Sequence, residues 1–164
     1  MRQVWYPAYI GLGSNLGESR RCIERAILEI HQFDDTRVIA RSSFYRSAPF
    51  GPVAQDPFVN AVVGVLTRAE PLPLLRALRS LEVKLGRSPP RQRWGPREID
   101  LDLLVHGESR LDSLELSLPH RGIPERDFVL YPLLDIAPQL TITGLGRVTE
   151  LAARVMDRGI ERLD

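Results

Sequence analysis

Residues 93 to 104 read RWGPREIDLDLL, and the second half of this stretch alternates between apolar and acidic side chains. The apolar members are Ile99, Leu101 and Leu103, and the acidic ones are Asp100 and Asp102. This period of two predicts a β-strand with its apolar side chains on one face and both carboxylates on the other. Two residues along a strand span roughly 6.5 Å, so both carboxylates can reach one or two hard cations.

Four arginines precede this strand in a segment whose only large apolar side chain is a tryptophan. The arginines are Arg87, Arg91, Arg93 and Arg97, and the tryptophan is Trp94. Fixed acids beside a basic loop suit a reaction in which Mg²⁺ and arginines share the charge of a polyphosphate. The alternatives are an edge strand with a solvated face and a solvated or nucleic-acid-binding loop. Because opposite charges lie so close together in the chain, we favour metal–phosphate chemistry.

The upstream elements place this strand last in a β-α-β-β-α-β order. The predicted elements are a strand at Ala8 to Leu12, a helix from about Glu18 to Phe33, strands at Val38 to Ala48 and Phe58 to Thr67, a helix between Pro71 and Gly86, and the strand from Glu98 to Val105. This order predicts an α+β, ferredoxin-like fold, an antiparallel sheet with both helices on one face.

Further elements are expected after that strand, as C-terminal additions to the same domain. They are a strand near Leu116 and Leu118, a helix from about Asp127 to Ile136, a strand at Leu140 to Thr143 and a helix from Glu150 to Arg158. No internal repeat, low-complexity tract or linker divides the sequence. We therefore expect one domain over residues 1–164.

Composition limits the classes of function. The chain has 164 residues, enough to bury a core without disulfides, and its net charge of +1 argues against a nucleic-acid partner. The single Cys22 excludes an intrachain disulfide and a cysteine-based metal site. We see no signal peptide, and no apolar run approaches the roughly 20 residues of a membrane span. The expectation is a cytoplasmic, monomeric protein without a membrane or nucleic-acid partner.

Six motifs in order resemble the 6-hydroxymethyl-7,8-dihydropterin pyrophosphokinase family of folate biosynthesis. They are YIGLGSNLG at 9 to 17, SSFYRSAPFGP at 42 to 52, FVNAVV at 58 to 63, LEVKLGR at 81 to 87, RWGPREIDLDLL at 93 to 104, and LPHRGIPERDFVLYPLLDIAP at 118 to 138. The resemblance implies a ferredoxin-like enzyme that transfers the pyrophosphoryl group of ATP to the hydroxymethyl oxygen of the reduced pterin and releases AMP. The residues themselves indicate polyphosphate and metal, and only the resemblance indicates the pterin.

The resemblance also implies the residues that handle ATP and metal. Asp100 and Asp102 are similar to the ligands of two Mg²⁺ ions, and Asp102 is the best candidate to orient the attacking hydroxyl. Arg87 and Arg97, with Asp102, form the expected catalytic set. The expected ATP-binding set is Glu82, Arg87, Arg97, Leu103 through its backbone, Ser117, His120 and Arg126. Without the resemblance, His120 reads as a turn histidine.

The expected pterin-binding set combines aromatic rings with hydrogen-bonding groups. It consists of Ser47, the backbone near Phe50, Phe58, Asn60, Trp94 and Phe128. Phe58 and Phe128 are similar to rings that sandwich the bicycle, and Asn60 can match a donor–acceptor edge. The alternative is that both phenylalanines are ordinary core residues.

Several positions depart from the family pattern on the nucleotide side. Pro89 stands where a second loop arginine is common, Arg79 replaces a glutamine, Glu115 a basic residue and Arg121 a tyrosine.

Two other classes of protein fit parts of the sequence, an RNA-binding module on a ferredoxin-like sheet and a metal-dependent nuclease. Retention of a polyanion without Mg²⁺ would indicate the first, and AMP release without pterin would indicate the second.

Overall fold

The computed structural model describes residues 3–49, 51–87 and 98–163. In chain order the strands and helices are β1 (Tyr6–Ser14), α1 (Ser19–His31), β2 (Thr36–Arg41), β3 (Phe44–Ser47), β4 (Phe58–Thr67), α2 (Pro71–Lys84), β5 (Asp100–His106), β6 (Leu111–Asp112), β7 (Ser117–Leu118), α3 (Asp127–Ile136), β8 (Thr141–Ile142), β9 (Gly146–Arg147), α4 (Val148–Arg154) and β10 (Glu161–Leu163). A short 3₁₀ helix, Ile123–Glu125, precedes α3.

An antiparallel sheet forms the centre of the molecule. Its strands follow the order β10-β3-β4-β1-β5, and β2 pairs with β4 on the same side as β3. Strands β6 and β7 pair with each other, as do β8 and β9. The β-α-β-β-α-β order around an antiparallel sheet confirms the predicted ferredoxin-like fold.

Alternating side chains divide the sheet between two apolar cores. Ile10 of β1 and Leu101 of β5 belong to the core that includes the buried side chains of α1 and α2. Val62 of β4 and Leu104 of β5 belong to the second core, with the buried side chains of α3 and α4. The helices α1 and α2 therefore cover one face, as predicted, and the C-terminal additions cover the other.

Two predicted boundaries are wrong. The strand expected at 38–48 is two strands, because Ser42 interrupts it and its hydroxyl accepts a hydrogen bond from the Val62 N–H at 2.9 Å. The terminal helix, expected at 150–158, occupies Val148–Arg154 instead. After it the chain forms β10, whose Arg162 pairs with Tyr45 in β3.

Within the described ranges, no helix is both long and apolar enough to cross a membrane.

Candidate active site

A cavity of about 290 Å³ opens on the α3 side of the sheet, where β4 and β5 begin and β1 and β3 end. It is lined by Gly11, Leu12, Gly13, Ser47, Ala48, Phe58, Asn60, Ala61, Arg87, Asp100, Asp102, His120, Arg126, Phe128 and Val129. The cavity thus brings together the predicted metal ligands, three predicted ATP-binding residues and four predicted pterin-binding residues.

Two glycines in β1 line the cavity beside the carboxylates. Gly13 lies opposite Asp100 and Gly11 lies opposite Asp102 in the register of β1 and β5. A Cβ atom on Gly13 would stand 3.1 Å from Nδ2 of Asn60, so the absence of a side chain here lets the amide reach across the cavity floor. These glycines are missing from the predicted site. Their spacing of two in a strand motif was the available signal, since it removes side chains from one face.

The carboxylate pair carries a concentrated negative charge. The Asp100 and Asp102 side chains are 34% and 24% exposed. Burial, followed by the neighbouring Asp100 charge, raises the pKa of Asp102 from 3.8 to about 7, although Arg126 and Arg79 oppose the rise. The Asp100 charge thus disfavours ionisation of Asp102, as expected for like charges in one site.

The donor set fits Mg²⁺. Over residues 3–49, 51–87 and 98–163, no group of three or more His, Cys, Asp or Glu side chains could hold a metal ion. Mg²⁺ does not require such a group, since proteins usually bind it through one or two carboxylates while water and substrate phosphates complete the octahedron. Asp100 and Asp102 supply two oxygen donors of this kind in a cavity with room for further ligands.

A buried glutamate on α2 organises the arginines at the edge of β5. The Glu82 side chain is 3% exposed, and its Oε2 accepts a hydrogen bond from the Leu101 N–H at 2.8 Å. Nη1 of Arg79 donates to Glu82 Oε1 at 2.9 Å and to the Leu101 carbonyl at 2.7 Å. Nη1 of Arg87 donates to Glu82 Oε2 at 2.5 Å and to Asp100 Oδ1 at 3.1 Å. Two guanidinium partners and a backbone donor offset the cost of burying this carboxylate.

His120 is held in its neutral form. Burial, with the nearby Arg126 charge, lowers its pKa from 6.5 to about 4. Its Nδ1 accepts a hydrogen bond from the Gly122 N–H at 3.0 Å, so in the neutral ring Nε2 carries the proton and can donate. The residue does lie in a turn, but it also lines the cavity. Nη1 of Arg126 is 3.9 Å from Asp102 Oδ2.

The remaining wall combines an amide with two aromatic rings. The Ser47 hydroxyl donates to Oδ1 of Asn60 at 2.6 Å, which leaves the Asn60 NH₂ group directed towards Gly13. Phe58 and Phe128 are only partly buried, and both border the cavity. Both rings and the Asn60 amide therefore border one cavity, where the rings are available for more than core packing.

A second cavity of about 260 Å³ shares Asp102 and His120 with the first. It is lined by Leu75, Arg79, Asp102, Leu103, Ser113, Leu114, Glu115, Leu116, Ser117, His120 and Arg121. Leu103 is 1% exposed and its side chain belongs to the α1–α2 core, so a contact through its backbone stays a prediction. The predicted ATP-binding residues Leu103 and Ser117 both line this cavity. Glu82 does not line it, because its carboxylate is occupied by the two arginines and Leu101.

The predicted site residues Phe50, Trp94 and Arg97 lie outside the described residues, as does Arg91, the candidate replacement for a loop arginine. Their assignment stays a prediction from the sequence.

Comparisons with known proteins show the family to which the chain belongs. A family model described as 7,8-dihydro-6-hydroxymethylpterin-pyrophosphokinase (HPPK) matches residues 9–138. A Pseudomonas aeruginosa protein named 2-amino-4-hydroxy-6-hydroxymethyldihydropteridine pyrophosphokinase is 44% identical over 155 residues, covering 94% of this chain and 95% of the relative. A Methylorubrum extorquens protein with the same name is 43% identical over 157 residues, which cover 96% of this chain and 98% of the relative.

A solved structure resembles the fold. The Plasmodium falciparum HPPK-DHPS chain, crystallised with pteroate, superposes with a TM-score of 0.72 at 16% sequence identity. The match covers 94% of this chain but 43% of the Plasmodium chain, so this chain corresponds to less than half of that protein. At this identity the likeness concerns the fold alone. The family model and the two bacterial relatives carry the assignment, and the chain belongs to the 7,8-dihydro-6-hydroxymethylpterin-pyrophosphokinase family.

Proposed function

We propose that this protein transfers the pyrophosphoryl group of ATP to the hydroxymethyl group of 6-hydroxymethyl-7,8-dihydropterin within the cavity on the α3 side of the sheet. The products are AMP and the pterin diphosphate, an intermediate of folate biosynthesis. The observation that carries this proposal is the meeting of paired carboxylates, arginines and two aromatic rings in one cavity. Family membership supports the reaction, and the geometry supports the place where it occurs.

Asp100 and Asp102 are the residues that would hold Mg²⁺, and we expect two ions. Bound there, the metal would neutralise negative charge on the polyphosphate and fix its position. The glycines at 11 and 13 lie opposite these carboxylates and line the same cavity. Asp102 would also accept a hydrogen bond from the attacking hydroxyl and orient it.

The arginines and the neutral histidine bind the phosphates. Arg87 and Arg126 stand beside the two carboxylates, where they would face a polyphosphate held at this pair. His120 would donate from Nε2 without adding a charge. Arg97 belongs to this group on the grounds of its sequence motif. These donors surround the group in transfer, where electrostatic stabilisation contributes most to phosphoryl-type reactions.

In the transfer itself, the hydroxymethyl oxygen forms a bond to the β-phosphorus. The bond from that phosphorus to the oxygen bridging to the α-phosphorus breaks, and AMP leaves with those electrons. Loose transition states of this type depend more on positioning and charge neutralisation than on a strong base. The described residues would supply both. Asp102 would orient the hydroxyl, and the hydroxyl proton would leave to solvent as the new bond forms.

The pterin would bind between Phe58 and Phe128, with its polar edge facing Asn60. Because Ser47 holds the Asn60 oxygen, the amide NH₂ group is presented to the ligand. The backbone near Phe50 and the side chain of Trp94 complete this subsite by sequence motif. Stacking favours flat heteroaromatic rings of this kind.

ATP would extend from the shared carboxylate into the second cavity. The Leu103 backbone and Ser117 are placed for the nucleoside, and Arg79 lines the same wall. Glu82, predicted as an ATP-binding residue, would act on the nucleotide through the arginines that it holds.

We further propose that residues 1–164 act as a single domain and a monomer, in the cytoplasm, without a nucleic-acid partner. The described elements pack on one central sheet, which supports the single domain. The monomeric state, the cytoplasmic location and the lack of a nucleic-acid partner are expected from the composition and the motifs.

The direct test is a nucleotide-product assay with ATP, Mg²⁺ and the reduced pterin. We expect one AMP for each pterin diphosphate and no ADP. The control omits pterin, and AMP release without it would indicate a hydrolase. Formation of ADP instead of AMP would show a simple kinase and refute the pyrophosphoryl transfer.

A further inference from the structure

Each carboxylate of the candidate metal pair already has an arginine beside it. Asp100 Oδ1 accepts a hydrogen bond from Arg87 at 3.1 Å, and Asp102 Oδ2 lies 3.9 Å from Arg126. All four side chains are about one fifth to one third exposed, with values of 19% for both arginines, 34% for Asp100 and 24% for Asp102. In this structure, therefore, the positive charge next to the two acids comes from the protein itself.

We propose that Arg87 and Arg126 are resident counter-ions of the Asp100–Asp102 pair, exchanged for Mg²⁺ when the polyphosphate binds. The inference rests on the proposed function, because the polyphosphate is the anion that receives the arginines. A guanidinium cannot lose its proton in a protein, so Mg²⁺ arriving alone must bind against a fixed positive charge. Phosphate oxygens offer the arginines an equivalent partner and remove that obstacle.

Glu82 makes such an exchange possible for Arg87. A single nitrogen, Nη1, contacts both the buried Glu82 carboxylate and Asp100. Glu82 is anchored by the Leu101 N–H and by Arg79, so it stays in place when the outer contact to Asp100 is given up. The guanidinium can then turn towards a phosphate while one contact to Glu82 holds it at the site. Glu82 is in this sense a positioning residue.

The exchange couples the two ligands energetically. If the arginines oppose Mg²⁺ alone but not Mg²⁺ with nucleotide, then nucleotide must raise the affinity for the metal, and metal must raise the affinity for nucleotide by the same factor. Loss of the Arg87 charge should therefore have opposite effects on the two ligands. It should tighten binding of the metal alone, and it should weaken binding of the nucleotide. An arginine that only contacts phosphate would leave the affinity for free metal unchanged.

The test is a titration of the whole protein with Mn²⁺ as a paramagnetic probe, without nucleotide, following free Mn²⁺ by electron paramagnetic resonance. Arg87→Gln should bind Mn²⁺ about tenfold more tightly than the wild type, because a unit charge a few ångströms from a divalent ion is removed. Arg87→Lys keeps the charge and should bind like the wild type. Arg154→Gln, a matched loss of an exposed arginine paired with Glu150 on α4, should also leave the affinity unchanged.

A second titration adds an ATP analogue with a methylene bridge between its α- and β-phosphates. In the wild type the analogue should increase Mn²⁺ affinity strongly, and in Arg87→Gln this increase should be smaller. Equal or weaker Mn²⁺ binding by Arg87→Gln without nucleotide would overturn the exchange. Should that variant fail to fold by circular dichroism, Arg126→Gln gives the same test at Asp102, with a smaller effect because of the 3.9 Å separation. AMP formation by the wild type tests the proposed function separately, so the two failures can be distinguished.

Discussion

Replacing Asp102 by asparagine should make the ligand-free protein more stable while nearly abolishing its activity. The structure places this carboxylate in a partly buried position beside Asp100, and the pKa of Asp102 rises from 3.8 to about 7 as a result. Ionised Asp102 therefore destabilises the native state. Asparagine has nearly the same shape and carries no charge, so it removes this cost and keeps the packing.

The expected gain in the free energy of unfolding follows from the pKa of Asp102. Each tenfold change in acidity is worth about 1.4 kcal/mol, so a rise of about 3 in the Asp102 pKa sets an upper bound of roughly 4 kcal/mol. Because the side chain is 24% exposed and water screens it, we expect a gain in the free energy of unfolding of about 1 to 2 kcal/mol. Since the folded pKa is raised, the native protein retains a proton that the unfolded chain has already lost. The advantage of the variant is full above about pH 8 and shrinks as pH falls towards about 4.

The assay is urea-induced unfolding with a chelator, at about pH 8.5 and about pH 5, for wild type, Asp102→Asn and the control Asp34→Asn in the exposed turn after α1. Turnover with Mg²⁺ should fall at least about 10²-fold in Asp102→Asn, as after loss of a principal electrostatic group. Added Mg²⁺ should stabilise the wild type more than the variant. A variant that is destabilised at both pH values, or that keeps near-normal turnover, would refute the reasoning.

Three further results are expected. In Gly13→Ala the new Cβ would stand 3.1 Å from the Asn60 amide nitrogen and displace it. The KM for pterin should therefore rise, with little change in the Mg²⁺ dependence of turnover. An unchanged KM would show that this amide does not bind the pterin. The His120 imidazole should titrate near pH 4 by NMR. Because its pKa is lower in the folded protein, its contribution to stability is present above pH 6.5 and is lost as pH falls towards 4. Titration near pH 6.5 would contradict its burial. Glu82→Gln should lower the free energy of unfolding by about 3 kcal/mol, because it removes the buried carboxylate that Arg79, Arg87 and the Leu101 N–H share. Glu29→Gln, at the outer ion pair with Lys84, should cost much less. Equal losses would argue against the buried network.

Much of the fold could be predicted because the alternation of side chains carries it. In β5 the apolar residues at 101 and 103 enter the α1–α2 core, and the acids at 100 and 102 face the cavity, as the period of two requires. The bounds of β4 and α3 were also predicted to the residue. The break at Ser42 was not predictable, because it depends on a hydroxyl that replaces a backbone acceptor for Val62.

The candidate site was predicted as a set of residues but not as a network. Glu82 sits among leucines on an apolar helix stripe, which was a signal for burial, yet only the structure shows that it joins Arg79 and Arg87. The β10–β3 pairing was also beyond the sequence, since three residues at the C-terminal end of the chain carry too little pattern to specify a distant partner. Gly13 was missed because its spacing of two from Gly11 indicates a strand face without side chains but does not indicate any chemistry.

The most direct test of the account is electron–nuclear double resonance on the Mn²⁺-loaded protein with the α,β-methylene ATP analogue and pterin bound. If Asp100 and Asp102 hold the metal against the polyphosphate, the wild type will show coupling between Mn²⁺ and the phosphorus nuclei, and the signal will be lost in the double variant Asp100→Asn/Asp102→Asn. The same coupling in the double variant, at the same protein and metal concentrations, would contradict the assignment of the metal to these carboxylates.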